Sequence, residues 1–325
     1  MRALRSTTLA LAAATVFLAG APAVADDGGF TIEDPRIDES SGLAASRRHP
    51  GVYWTHNDQD EPRVFAVDSR TGKTVATVTF SGVGRPRDME AVSVGPDGDL
   101  YVGDIGDNLN GSWDHVWIYR FPEPAELRDQ TVKAVQYVVK YADGPRDAES
   151  LMIHPKTGRA YIASKNKQGG GLYEGPAKLS ARGTNTFRRV AEVPWVTDGA
   201  FSPDGAHLAL RGYLGAWEYP WKDGRPGGEE ALAIGFEGQS ESVTYTPDGS
   251  ALMFGAEGVR SRVTRLAVDR PGAERPSNDG GSPSGEAGKG DGGGGQSKGN
   301  FTLGVVVLAV ATALTLGIKR MLRRD

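Results

Sequence analysis

Short apolar runs separated by Gly- and Pro-rich turns recur along the chain, and long amphipathic helical periods do not. The recurring unit is an acidic residue, a short apolar strand, Pro six positions after the acid, a Gly turn, and a second apolar strand. It is seen in Glu90-AVSVGPDGDLYVGD, in Glu149-SLMIHPKTGRAYIAS with one residue inserted in the turn, and in Glu241-SVTYTPDGSALMFGA. Val196-TDGAFSPDGAHLALRG is a fourth copy, whose acid, Asp198, stands five positions before Pro203. Glu39-SSGLAASRRHPGVYWTHND is a looser first copy. From Glu39 through Glu90, Glu149 and Asp198 to Glu241 the acids are 51, 59, 49 and 43 residues apart.

A third strand follows each pair: Arg63-VFAVD, His115-VWIYRF, Gly171-LYEGP, Gly215-AWEYP and Ser261-RVTRLAVD. Fourth strands are Thr74-VATVTF, Thr131-VKAVQYVVKY, Phe187-RRVAEV and Glu230-ALAIGF. The last copy lacks one, and Phe30-TIEDPRI, ahead of the first, is placed to supply it. Periods of roughly 40–50 residues built from four short strands predict an all-β chain folded as a β-propeller. The count closes at five blades, with six open if the long second copy hides further strands, and an N-terminal strand closes the ring.

The ends carry different patterns. Residues 1–25 read as an export signal, with Arg2 and Arg5 ahead of an apolar run and Ala23-Val24-Ala25 as the cleavage site. Residues 26–270 are the folded ectodomain, and 271–300 a Gly/Ser/Pro-rich tether with nothing to bury. Residues 301–318 form an uncharged apolar run, about 27 Å long as a helix and enough to cross a bilayer. The basic tail at 319–325 places that end in the cytoplasm. The expectation is a type I single-pass membrane protein with its propeller outside the cell.

Composition narrows the chemistry. The 325 residues include no cysteine, which excludes thiol catalysis, thiolate metal sites and disulfides. The net charge of −4 conceals an acidic 26–300 segment, with 31 basic against 40 acidic residues, and this argues against nucleic acid as a partner.

PRD-x-E-A at residues 86–91, PDG-x-LYVGD-x-GDN at 96–108, and ESSGLA and YWTHND near the start resemble a group of secreted actinobacterial propellers. These are described as WD-repeat-like, or as the esterase-like activity of phytase family. The resemblance covers about residues 32–268. It implies a propeller with an esterase label and brings no agreed catalytic residues. WD-repeat signatures do not recur.

Propeller topology sorts the loops onto two faces. The Pro-Asp-Gly turns carrying Asp97, Asp204 and Asp248 fall on one face and read as turn chemistry. The opposite face collects Glu39, Arg87, Asp88, Glu90, Arg146, Asp147, Glu149, Asp198 and Glu241 before first strands. It also collects His56, Asp58, Asp104, Asp107, Asn108, Lys165, Arg211 and Glu257 after second strands. Each acid is open to three readings: an acceptor for backbone N–H groups, a ligand of an oxygen-bound cation, or part of a hydrolytic site. For calcium, the candidates are Asp104, Asp107, Asn108 and Glu90. For hydrolysis, they are His56, Asp58 and Asp104, with the cationic side chains holding an anionic substrate. No Gly-x-Ser-x-Gly elbow and no His-Glu-x-x-His pair is present. Trp113, Trp195 and Tyr213 are expected to reach the same face, as stacking planes or as rim packing. The leading reading is ligand or partner binding at a carboxylate-rich channel mouth, with calcium as a candidate cofactor. The alternative is a metal-assisted esterase or phosphoesterase.

Overall fold

The computed structural model describes residues 28–58, 61–109, 111–235 and 239–268. The export signal, the tether, the apolar segment and the basic tail lie outside the described residues. Among the described residues every regular element is a strand.

The chain opens with β1 (Phe30–Thr31). The first repeat is β2 (Ser40–Ala45), β3 (Val52–Asn57), β4 (Arg63–Asp68) and β5 (Thr74–Ser81). The second is β6 (Met89–Val94), β7 (Asp99–Asp104) and β8 (Val116–Pro122), followed by β9 (Gln130–Lys133) and β10 (Val135–Tyr141). The third is β11 (Ala148–Ile153), β12 (Ala160–Ser164), β13 (Gly170–Glu174) and β14 (Thr184–Val193). The fourth is β15 (Asp198–Phe201), β16 (His207–Gly212) and β17 (Gly215–Lys222), with β18 (Arg225–Pro226) and β19 (Glu230–Leu232). The last is β20 (Ser240–Tyr245), β21 (Ala251–Ala256) and β22 (Arg262–Ala267).

Each repeat is an antiparallel meander, as the two-residue periodicity and Gly turns require. The first strands neighbour one another in sequence order, β2 to β6 to β11 to β15 to β20, and β20 returns to β2. A hydrophobic core fills the space between each pair of successive repeats. Trp54 and Phe80 meet Leu100 and Phe121 between the first two, and Ile118 and Val139 meet Leu151 and Ile162 between the next two. Phe30, Leu43 and Phe65 meet Met253 and Val263 where the last repeat joins the first. Fully burying one such side chain stabilises the fold by roughly 1.5–3 kcal/mol, so the ring is held between its sheets. β1 pairs antiparallel with β22, Phe30 opposite Val263, and supplies the outer strand that the last repeat lacks.

Two features depart from the sequence reading. The run from Thr131 to Tyr141 is not one strand. It divides at Ala134: β9 pairs parallel with β5 of the first repeat, and β10 pairs antiparallel with β8. The buried Ala134 donates its N–H to the Ser81 carbonyl at 2.8 Å, which holds the crossing between sheets. β10 also runs parallel to β14, so the second and third repeats share an eight-stranded sheet.

Candidate functional site

The acids at the starts of the first strands are presented by backbone irregularity. Pairing of β6 with β7 jumps between Met89 and Ala91, of β11 with β12 between Ala148 and Ser150, and of β20 with β21 between Ser240 and Ser242. The residues left over are Glu90, Glu149 and Glu241. A β-bulge leaves its extra residue out of the ladder and re-aims its side chain. In the first repeat the same jump, between Ser40 and Gly42, falls on Ser41, so Ser41 and not Glu39 occupies the equivalent place. Glu39 stays half-buried at the edge, its carbonyl accepting from the Asp58 N–H at 3.0 Å.

Asp198 stands one residue out of step with these glutamates, and its repeat has no bulge. A one-residue offset turns a strand side chain to the other side. Its carboxylate accepts the N–H of Gly199 at 2.7 Å and that of Val243 in the next repeat at 2.9 Å. Burial pushes its pKa well up, against the opposing effect of the N–H groups of Val243, Gly199 and Leu43. Asp198 therefore joins strands at the centre of the ring.

Glu90, Glu149 and Glu241 are 5%, 2% and 3% exposed. Lys165, just after β12, places its ammonium on the Glu149 carboxylate. Burial, with Asp147 and Asp88 adding like charge, pushes the Glu149 carboxyl up, and Lys165 works against it. Burial works against the Lys165 ammonium, but Glu149, Tyr213, Glu90 and Asp147 more than offset it, and its pKa stands well above lysine's usual value. The Lys165 Nζ–Glu149 Oε1 contact is that of an ionised pair, which leaves Glu90 as the carboxyl that holds its proton more readily. Glu90 is pushed well up by burial and by Glu149, Asp88 and Asp58, and its carboxyl has no hydrogen bond or ion pair among the described residues. Glu241 is pushed well up by burial and by Glu257 and Glu149, and accepts from the Gln239 amide at 2.7 Å. Gly106 makes room for the group, since a Cβ there would come within 2.7 Å of the Asp88 carboxyl carbon and 2.8 Å of Glu90 Cγ.

The remaining candidates are employed in holding loops. Asp104, fully buried, accepts the N–H of Asp88 at 2.8 Å, that of Arg87 at 3.1 Å and the Tyr119 hydroxyl at 2.6 Å. Asp107 accepts from Ser112 Oγ at 3.1 Å and the Trp113 N–H at 2.7 Å, and its own N–H goes to Asp147 at 2.7 Å. Asn108 donates to Asp88 at 2.8 Å. Asp104, Asp107 and Asn108 thus serve groups of the protein itself. Among the described residues no three His, Asp or Glu side chains stand close enough to hold a metal ion.

His56 is fully buried, its Nδ1 donating to the Asn57 carbonyl at 2.9 Å, and burial lowers its pKa to about 4. Its Nε2 has no hydrogen-bond partner among the described residues and faces Gly42, where a Cβ would lie 2.9 Å away. The imidazole is neutral at physiological pH and walled in by β2. Arg87 is sandwiched between Trp113 and Trp117, 4.0 Å and 3.8 Å from their ring centres, and donates to the His115 carbonyl at 2.7 Å. Arg146 pairs with Asp143 at 2.7 Å over the Tyr173 ring, and Arg211 is buried over Phe254. Lys165 is set among the glutamates.

No family model matches the chain, and no curated protein matches it, so the resemblance to WD-repeat-like and phytase-labelled propellers gains no support there. Solved structures of similar architecture were found. A gluconolactonase from Xanthomonas campestris is 17% identical, with 73% of this chain and 78% of that one covered and a TM-score of 0.45. The PQQ-bound aldose sugar dehydrogenase of Streptomyces coelicolor is 13% identical, with 74% and 96% covered and a TM-score of 0.44. An oxidoreductase of Thermus thermophilus, described as a glucose dehydrogenase, is 15% identical, with 70% and 84% covered and a TM-score of 0.42. The closed cycle of first strands, each with its own meander, is what makes the fold a β-propeller. No activity or residue role is carried over from these proteins.

Sequence reasoning missed three partners in this region. Gln239 neutralises part of the demand of Glu241 and was detectable only as the amide two residues before it. Tyr119 fixes Asp104 from the third strand. Ser41 takes the glutamate position in the first repeat, which the bulge register reveals and the Glu39-Ser-Ser wording hides.

Proposed function

We propose that this chain is a five-bladed propeller that binds a cationic group of a ligand or partner, an alkylammonium or a guanidinium, among Glu90, Glu149 and Glu241. The observation that carries this reading is Glu90: a carboxyl 5% exposed, surrounded by other acids and lacking a hydrogen bond or ion pair among the described residues. Glu90 is left to share the one ammonium of Lys165 with Glu149 and Asp147, and a further cation would relieve the cost of ionising it. Lys165 illustrates the chemistry, being an alkylammonium accommodated by Glu149 with Glu90 and Asp147 close by. Calcium requires six to eight oxygens at about 2.3–2.6 Å. Among the described residues no three of these side chains stand close enough to hold a metal ion, whereas an ammonium or guanidinium does not require such a shell. Five first strands in a closed cycle, each followed by its own meander, support the blade count. The export signal and the apolar segment in the sequence support placement at the outer face of the cell membrane.

The test is thermal unfolding with agmatine, n-butylammonium or calcium chloride at matched ionic strength, in the wild type and in Glu90→Gln. Saturating agmatine should stabilise the wild type. A hundredfold excess over Kd is worth about 2.7 kcal/mol, a Tm rise of about 5–10 °C at this size. The rise should be lost in Glu90→Gln, and EDTA should leave Tm unchanged. Stabilisation by calcium alone, reversed by EDTA, would return the site to the metal reading. Turnover of ester or phosphoester substrates that Glu90→Gln abolishes would favour the hydrolase.

A further inference from the structure

The face that carries the glutamates is edged by apolar turns. Among the described residues four large apolar side chains are exposed. Three of them, Leu109 at 63%, Leu214 at 66% and Val259 at 59%, stand in the turn after the second strand of a repeat. The fourth, Val135, belongs to β10. The register fixes the side of the ring on which the three turns lie. Close to them, Asp104, Arg211 and Ala256 lie opposite Met89, Asp198 and Ser240, at the starts of the first strands. In the same three repeats the turns at the opposite face read Pro-Asp-Gly. We propose that the glutamate face docks a polypeptide partner through a lysine or arginine flanked by apolar side chains. Such docking rests on the cation site described above, and a polypeptide is what brings the cation.

Turn positions favour Gly, Asn, Asp and Ser, whose backbones and side chains suit the bend. Leucine and valine bring nothing to a turn, and side chains this exposed contribute little to burial within the fold. A single exposed apolar residue is ordinary. Three at equivalent turns of one face, where the opposite turns of the same repeats are polar, mark a surface that another molecule covers.

Each turn adjoins the glutamates. Asn108, beside Leu109, donates to Asp88 at 2.8 Å. Tyr213, beside Leu214, has its phenol pushed up by burial first and then by Glu241 and Glu149, and Lys165 Nζ lies 5.8 Å from its ring centre. Glu257, two residues before Val259, adds to burial in raising Glu241. Two of the turns are also fixed in advance, which lowers the entropic cost of docking. Trp195 packs edge-on against Tyr213 at 5.0 Å, and Arg260, next to Val259, adopts a φ of 58° with its guanidinium 3.0 Å from Glu33.

Charge selects the partner. The carboxyls call for a cation and the turns for apolar area beside it, and a basic residue within an apolar stretch of polypeptide supplies both. An anionic lipid surface would set like charge against the carboxyls.

The experiment is isothermal titration, at neutral pH, of acetyl-Leu-Arg-Leu-amide, acetyl-Gly-Arg-Gly-amide, acetyl-Leu-Gln-Leu-amide and agmatine into purified full-length protein. The wild type should bind the Leu-Arg-Leu peptide about tenfold or more tightly than either other peptide. The triple variant Leu109→Ser, Leu214→Ser, Val259→Ser should keep its Tm within about 2 °C of the wild type, as exposed positions allow. It should bind the two arginine peptides equally. Equal affinity of the wild type for those two peptides, or a preference that survives the three substitutions, overturns the proposal and leaves the cation site in place. Binding of agmatine but of neither arginine peptide does the same. Silence of agmatine and of all three peptides overturns the cation site, and this docking with it. Dihexanoylphosphatidylcholine below its micellar concentration is titrated in parallel. Saturable binding of that lipid which the three substitutions abolish, with no binding of the Leu-Arg-Leu peptide, would assign the turns to a lipid surface instead.

Discussion

Lys165 places its ammonium on the Glu149 carboxylate across the β11–β12 pair, and it is the only lysine among the described residues so placed within the glutamate cluster. Its ammonium is acted on by Glu149, Glu90 and Asp147 together. Removing it should therefore cost more than a surface pair. Lys165→Met is expected to destabilise the protein by about 3–5 kcal/mol, the usual range for breaking a buried pair from one side. Urea unfolding at neutral pH measures this. A loss below about 1 kcal/mol would place Lys165 with ordinary surface pairs.

The sign of the pH dependence follows from Glu90. Its carboxyl is held well above the ordinary 4.5 in the folded state. Between the unfolded and folded values the native protein binds more protons than the unfolded chain, so stability falls as pH rises through that window. Glu90→Gln should make the decline above about pH 5 shallower and raise Tm at the alkaline end. Differential scanning calorimetry across that range checks it, and a parallel decline in both proteins would show that Glu90 is not where the proton resides.

His56 acts in the opposite direction. Its folded pKa of about 4 lies below the ordinary 6.5, so its share of stability is present above 6.5 and lost as pH falls towards 4. Its ring resonances in NMR should not titrate between about pH 5 and about pH 8. A midpoint near 6.5 would show the imidazole in contact with solvent.

Asp104 holds three donors and should behave as a structural residue. Asp104→Asn leaves the Tyr119 hydroxyl and the Arg87 and Asp88 amides competing for one carbonyl oxygen, at an expected cost of about 2–4 kcal/mol. Agmatine should still stabilise this variant. Loss of that response with the fold intact would move the cation site towards Asp104.

The repeat was legible because two physical signals coincide at each copy: alternation of apolar residues and a turn that needs Gly. The sequence reading set Asp198 beside Glu90, Glu149 and Glu241, and only the bulges of the three glutamate strands separate them from it. Other features depended on distance in space. Nothing local in Thr131–Tyr141 tells that Ala134 divides it, because Ser81 and the edge of β5 impose the break. The acids of the Asp104–Asn108 loop look like ligands in sequence because a backbone N–H leaves no letter there. Only the fold shows that Asp104 and Asp107 are already occupied.

Isothermal titration of agmatine into the wild type and Glu90→Gln, at about pH 7.5 and again at about pH 5, tests the central claim most directly. Glu90 retains its proton more fully at the lower pH, so binding to the wild type should weaken there and should release protons to the buffer. Saturable binding to the wild type that Glu90→Gln abolishes is the expected result. Heats indistinguishable from dilution in the wild type, or equal binding to both proteins, would contradict a cation site at these glutamates.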